Sequence, residues 1–120
     1  MTLGRRRPPP FVAHVLELME PLGPVAARSM FGGWGLSLDG LTFAIIAGEE
    51  LYLKTDAQNR PAYEDLGLPA FAPYPEQPER RMNYHMPPAE ALEDADSLLP
   101  WVRAAFEVAL RAPRPARKKK

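Results

Sequence analysis

The chain has 120 residues, no net charge at neutral pH, and the proportions of one globular domain, with 46% hydrophobic and 25% charged residues. The lack of cysteine excludes disulfides and thiol catalysis, and two histidines are too few to suggest a zinc site, so we expect no metal or other cofactor. No apolar run is long enough to span a membrane or to form the core of a signal peptide, which predicts a cytoplasmic protein without a membrane partner.

The first predicted element is an amphipathic helix. Residues 1–9 are rich in arginine and proline, and we expect them to be a disordered arm. Over residues 10–20 the apolar side chains recur at helical spacing, with His14 and Glu17 on the other side. A proline and glycine cluster then ends the helix, and a single domain is predicted over residues 10–112.

The middle of the chain predicts a meander of antiparallel strands. Residues 28–56 hold five of the eight glycines, and residues 25–31 can lead into them as extended chain. Asp39-Gly40 is a strong hairpin signal, because a type I′ turn needs positive φ at both central positions. Three segments around this signal have the composition or the alternation of strands: residues 34–38, 41–47 and 51–55.

The C-terminal half alternates between helix and strand signals. Asp56 is a candidate cap for a short helix that Gly67 ends, and a proline-rich loop follows with a brief edge strand at residues 71–74. Residues 80–86 alternate as a further strand. A final helix is predicted up to Ala112; Pro100 is tolerated only in a first turn, so this helix should start near residues 96–97.

The two ends of the chain are basic and its body is acidic. Residues 8–110 contain six Lys or Arg residues and all fifteen Asp and Glu residues, which gives this part a net charge of −9. We predict that residues 113–120 form a disordered basic tail, either as a solubilising segment or as a weak contact to nucleic acid. The candidate nucleic-acid contacts are Arg114, Arg117, Lys118, Lys119 and Lys120.

Polar residues near the predicted strand ends are candidates for a polar surface. This candidate surface consists of Arg28, Asp39, Lys54, Asp56 and Tyr84. Turns and caps explain the two carboxylates equally well, and neither histidine has a recognisable nucleophile as its partner, so no catalytic residue is assigned. The pair Gly32-Gly33 matches no phosphate-binding motif and indicates a bulge or a tight entry into the sheet.

Three segments, in this order, resemble the TfoX N-terminal domain family. They are RSMFGGWGLSLDG with the strands TFAII and ELYLKTD, then NYHMPP, then LEDADSLLPWVRAAFEVALRA, and the resemblance extends over residues 11–112. It implies an α+β fold like that of type III secretion chaperones, in the order α-β-β-β-α-β-β-α. It also implies kinship with bacterial regulators of natural competence, many of which carry a second, C-terminal TfoX domain that these 120 residues do not accommodate. The family offers no catalytic residues to transfer.

The resemblance and the absence of a catalytic pattern lead to one main hypothesis. We expect a small, non-enzymatic regulatory or adaptor domain that acts through protein–protein contacts with an unknown partner, or as a homodimer through its sheet. Two alternatives remain open at this stage. One is a nucleic-acid-associated protein that uses the basic tail, and the other is a small-molecule-binding domain or enzyme with a pocket between sheet and helices.

Overall fold

A computed structural model describes residues 8–30, 32–73, 76–77 and 82–112. These residues form an α+β fold, in which helices pack on a five-stranded antiparallel sheet, as the sequence predicts. The elements in chain order are α1 (Pro10–Leu18), β1 (Ala26–Met30), β2 (Gly33–Leu38), β3 (Leu41–Ala47), β4 (Glu50–Lys54), α2 (Arg60–Glu64), β5 (Tyr84–His85), a 3-10 helix (Ala89–Glu93) and α3 (Ala95–Arg111).

The sheet is a meander in which each strand pairs with its neighbour in sequence, in the order β1-β2-β3-β4-β5. The hairpin predicted at Asp39-Gly40 is confirmed, because φ is 53° at Asp39 and 79° at Gly40, as a type I′ turn requires. Gly32 also has positive φ and lies in the tight turn between β1 and β2, where Met30 pairs with Gly33. The bulge in this part of the sheet lies farther along, between Leu36 and Ser37.

The distribution of strands differs from the expected order. Four strands precede α2 instead of three, because residues 26–30 pair with β2 along their whole length. Their side chains are mostly exposed and show no clean alternation, which is why the sequence indicated only extended chain there. After α2, the described residues contain one strand, β5. The edge strand expected at residues 71–74 is absent over residues 71–73, which the structure describes, and an isolated bridge pairs Ala70 with His85 instead.

One core lies between the helices and a single face of the sheet. The strands contribute Leu36, Leu38, Phe43, Ala44, Ile46, Leu51 and Leu53 to it, and the helices contribute, among others, Val12, Val15, Tyr63, Ala91, Leu98, Val102 and Ala105. All three α-helices and the 3-10 helix are represented in this cluster. They therefore cover the same face of the sheet, which we call the core face.

The final helix begins earlier than predicted. Asp94 is its N-cap and accepts a 2.7 Å hydrogen bond from the backbone N–H of Ser97. Pro100 consequently lies inside the helix, beyond its first turn. The helix starts one residue before the predicted range, and the expectation that Pro100 falls in the first turn is wrong. The cap explains the error, because it fixes the start of the helix upstream of the proline.

Asp56 organises the turn that leads into α2. Its Oδ1 accepts a 2.9 Å hydrogen bond from the backbone N–H of Gln58, and its carbonyl accepts one from Arg60, the first residue of α2. The N-cap position itself is occupied by Asn59. The expectation that Asp56 caps this helix is therefore wrong. Gly67 follows the helix with φ of 69°. None of the helices within the described ranges is long and apolar enough to cross a membrane.

Candidate functional site

The face of the sheet opposite the core carries an apolar surface that no helix of the described chain covers. Strand pairing aligns Arg28, Gly35, Ile45 and Tyr52 in one row across the first four strands. These residues alternate with the core residues Leu36, Ile46 and Leu53, so they point to the other side. We call this side the open face.

A groove lies on the open face. Its volume is about 600 Å³, and its lining includes Met30, Ile45, Ala47, Phe71, Met82 and Tyr84. Met30 and Met82 are 38% and 45% exposed, which is unusual for large apolar side chains. The ring of Phe71 contacts that of Tyr52 with a centroid separation of 4.9 Å, so the loop after α2 adds a wall above β4.

Two glycines of β2 set the depth of the groove. A Cβ atom at Gly33 would lie 2.5 Å from the carbonyl oxygen of Ile46, so this position cannot carry a side chain without moving the backbone. A Cβ at Gly35 would lie 3.1 Å from the Sδ of Met30. The thioether of Met30 therefore lies across Gly35 and forms the wall opposite Phe71.

Charged groups lie beside the groove. The Nζ of Lys54 is 5.3 Å from the centroid of the Tyr84 ring, a cation–π contact between paired residues of β4 and β5. The hydroxyl of Tyr52 donates a 2.8 Å hydrogen bond to Glu50. Burial, that hydrogen bond and the negative charge of Glu50 together raise the pKa of Tyr52 to about 12, so its hydroxyl stays protonated at neutral pH.

The candidate polar surface does not form a single site. Lys54 and Tyr84 are in contact, and Arg28 lies on the same face three strands away from Tyr52. Asp39 is in the turn between β2 and β3, and its positive φ indicates that it has a structural role in that turn. These positions offer no convergent pair of an acid and a base.

Asp56, the fifth candidate residue, is engaged by the end of α3. Arg111 donates two 3.0 Å hydrogen bonds to it, from Nε to Oδ2 and from a terminal nitrogen to Oδ1. Burial raises the pKa of Asp56, but the hydrogen bonds from Gln58, Arg111 and Asn59 and the charge of Arg111 outweigh it, so the pKa is lowered overall. The carboxylate is therefore a structural partner of α3.

The histidines have separate environments. His14 is exposed on α1, whereas His85 is buried and its Nδ1 lies 3.1 Å from the hydroxyl of Thr55. The ring of Tyr63 contacts both His85 and Trp101, with centroid separations of 5.3 and 5.0 Å. His85 belongs to an aromatic packing cluster under the sheet, and Trp101 packs against the core.

Some of the sequence predictions fall on residues that the structure does not describe. These include the five candidate nucleic-acid contacts, Arg114, Arg117, Lys118, Lys119 and Lys120. Phe31 and residues 78–81 also lie outside the described ranges. Contact between the tail and nucleic acid stays a prediction.

The sequence prediction did not identify the groove. Its residues Ile45, Ala47, Phe71 and Met82 were assigned only to strands or to a loop. A signal was nevertheless present in β3, where apolar residues occupy both alternating sets and not just one. Such a strand is typical of a sheet with two apolar faces, and the helices predicted here are too few to suggest cover for both.

The comparison with protein families gives one match. A family model described as the TfoX N-terminal domain matches residues 17–109, which include every strand and most of α3. A search of curated proteins found no match.

Proposed function

Because the chain belongs to the TfoX N-terminal domain family, we propose that it is a small, non-enzymatic regulatory or adaptor domain that acts through protein–protein contacts in the bacterial cytoplasm. The observation that carries the proposal is the groove on the open face, where Met30 and Met82 are exposed and Phe71 is partly exposed. Contiguous exposed apolar surface with a charged surround is typical of protein interaction sites.

The polar groups around the groove support a binding role over a catalytic one. Glu50 is engaged by Tyr52, Lys54 lies against the ring of Tyr84, and Asp56 is held by Arg111. General acid–base catalysis needs a titratable side chain aimed at the reacting atom of a substrate, whereas each of these groups is directed at a neighbour within the chain.

A position-specific crosslinking experiment tests the proposal. A photoreactive amino acid replaces Ile45 in the groove and, as the matched control, Glu107 on the exposed side of α3, and both proteins are irradiated in a bacterial lysate. We expect a discrete crosslinked partner from position 45 and none from position 107. Equal crosslinking from both positions, or none from either under several growth conditions, would contradict a protein-binding function of the open face.

If the partner is a second copy of this chain, the protein forms a homodimer through the sheet. Light scattering on the purified chain distinguishes it, because self-association would give twice the monomer mass, and Ile45→Glu would restore the monomer. A monomeric protein that still crosslinks at position 45 would indicate a different partner.

Small-molecule binding is the second candidate function, and the size of the groove favours it. A volume of about 600 Å³ is within the range of ligand pockets. The groove lies on the open face, whereas the expectation from sequence was a pocket between sheet and helices. A thermal-shift screen checks this, since a ligand at a hundred times its Kd stabilises a protein by about 2.7 kcal/mol. A metabolite library without a stabilising compound would leave protein binding as the favoured function.

A further inference from the structure

We propose that the occupant of the groove is an amphipathic α-helix with acidic residues beside its apolar stripe, supplied by the partner protein. This inference rests on the proposed function and names the chemistry of its partner. Three observations carry it: the width of the groove, the lack of hydrogen-bonding groups on its floor, and the charges next to it.

The width matches a helix. The Sδ of Met30 lies over Gly35 on β2, and the ring of Phe71 lies against Tyr52 on β4. Gly35 and Tyr52 are separated by Ile45 alone in their row, that is, by two inter-strand spacings or about 10 Å. The walls take up part of this width, and an α-helix with its side chains is about 10–12 Å across, so the groove receives the apolar stripe of one helix while the rest of the helix stays above the walls.

The floor discriminates against an extended peptide. Ile45 and Ala47 present hydrocarbon, and the backbone groups of β2 and β3 are already paired with each other. An extended segment in the middle of this face would bury its own N–H and C=O groups without partners, each at a cost of about 1–3 kcal/mol. A helix satisfies these groups internally and presents apolar side chains at every third or fourth position.

The charged side chains beside the groove favour acidic residues next to the apolar stripe of the helix. Arg28 lies two residues before Met30 on the open side of β1, and Lys54 lies beside Tyr84 at the other side of the groove. Both are cations, and the carboxylate of Glu50, which keeps its negative charge while it accepts a hydrogen bond from Tyr52, is the one acid among these groups. Because residues 8–110 carry a net charge of −9, the two cations set this part of the surface apart from an acidic surround and attract acidic residues of a helix.

The exposed methionines suit this occupant. Met30 and Met82 are unbranched and polarisable, so they can adjust to the apolar ridge of a helix and contact its aromatic side chains through sulfur. Such adjustable walls suit the uneven surface of an apolar helical stripe.

Two synthetic peptides test the inference directly. Each has about 18 residues, long enough to form a helix on its own, with leucine and phenylalanine in a stripe along one side. Glutamate flanks the stripe in one peptide and lysine replaces every glutamate in the other. Fluorescence anisotropy with the full chain should show the acidic peptide binding at least about tenfold more tightly than the basic one, with affinity falling as salt is added.

Matched variants locate the binding. Arg28→Glu should weaken the acidic peptide about tenfold, whereas Arg103→Glu, which makes the same change in net charge on the exposed side of α3, should leave affinity unchanged. Ile45→Glu should abolish binding of the acidic peptide. Equal effects of the two arginine variants, equal affinity for both peptides, or no binding of the acidic peptide would overturn the inference.

The crosslinking experiment separates failure of this inference from failure of the proposed function. A partner that crosslinks at position 45 through an extended or basic segment would overturn the acidic helix and leave the protein-binding function in place. If no partner crosslinks and neither peptide binds, both proposals fail together.

Discussion

The two faces of the sheet have the same strands but opposite roles. On the core face, Leu53 and Ile46 are 0% and 1% exposed because helices cover them. On the open face, Tyr52 is 9% exposed because the ring of Phe71 packs on it, whereas Ile45 is partly exposed and lines a groove. Apolar character alone therefore does not distinguish the faces; what differs is whether the described part of the chain supplies helices that cover them.

This difference separates stability from recognition. Burial of apolar area on the core face stabilises the fold by about 25 cal/mol per Å² removed from water. The apolar area left in the groove makes no such contribution until a second molecule covers it. Substitutions on the two faces should consequently be separable, with the core face affecting unfolding and the open face affecting binding.

The largest expected effect comes from truncating a side chain on the core face. Leu53→Ala removes a fully buried side chain and should lower the free energy of unfolding by about 2–5 kcal/mol. Ile45→Ala is the matched truncation on the open face and should cost about 1 kcal/mol, because part of this side chain is already in contact with water. Urea denaturation followed by circular dichroism measures both, and similar losses for the two variants would show that the open face is covered.

Substitutions of the glycines of β2 should have an intermediate effect on stability. They distinguish a position where a Cβ meets the backbone from one where it meets a flexible side chain. Gly33→Ala places a Cβ against the carbonyl of Ile46 and should destabilise by about 1–3 kcal/mol, since the strand must shift. Gly35→Ala meets only the flexible end of Met30 and should be neutral or stabilising by about 0.4–1 kcal/mol.

In peptide affinity per folded molecule the order of the two variants should be reversed. Gly35→Ala should bind more weakly than Gly33→Ala, although it is the more stable of the two. At Gly35, alanine pushes the thioether of Met30 into the groove, so affinity for the acidic peptide should fall although stability does not. Anisotropy titrations and urea denaturation on both proteins check this. A Gly35→Ala variant that binds normally would show that Met30 does not form a wall of the groove.

Much of the fold could be predicted because local signals agree with tertiary structure. The alternation in residues 51–54, the turn at Asp39-Gly40 and the spacing of apolar residues in α1 and α3 all persist in the structure. β1 could not be predicted as a full strand, because its pairing with β2 depends on backbone hydrogen bonds that leave no trace in exposed side chains.

The groove depends on contacts that no local pattern records. Phe71 becomes a wall only because its backbone N–H donates a 2.7 Å hydrogen bond to the carbonyl of Tyr84, which brings the loop back to the sheet. The grouping of charged residues as one polar surface failed for a related reason. Sequence shows that Lys54 and Asp56 are close along the chain, but not that Asp56 is bound by Arg111, 55 residues away.

The smallest expected effect tests how the helix layer is fastened to the sheet. Asp56→Asn keeps an oxygen for the N–H of Gln58 but removes the charge that Arg111 binds at 3.0 Å. Because the side chains of Asp56 and Arg111 are 32% and 34% exposed, the loss at neutral pH should be under about 1 kcal/mol. Arg111→Gln and the double variant complete a thermodynamic cycle that isolates the ion pair.

The pH dependence gives this prediction its sign. The pKa of Asp56 is lower in the folded chain than in the unfolded one, so the unfolded state takes up the proton first as the solution is acidified. The stabilisation is fully present above the unfolded-state pKa and is lost as pH falls through the folded-state pKa. The free energies of unfolding of wild type and Asp56→Asn should therefore converge in acid and separate towards neutral pH. A constant difference across that range would mean that the negative charge of Asp56 does not stabilise the fold, either through the N–H of Gln58 or through Arg111. The thermodynamic cycle then assigns the share of the ion pair that helps to hold α3 on the core face.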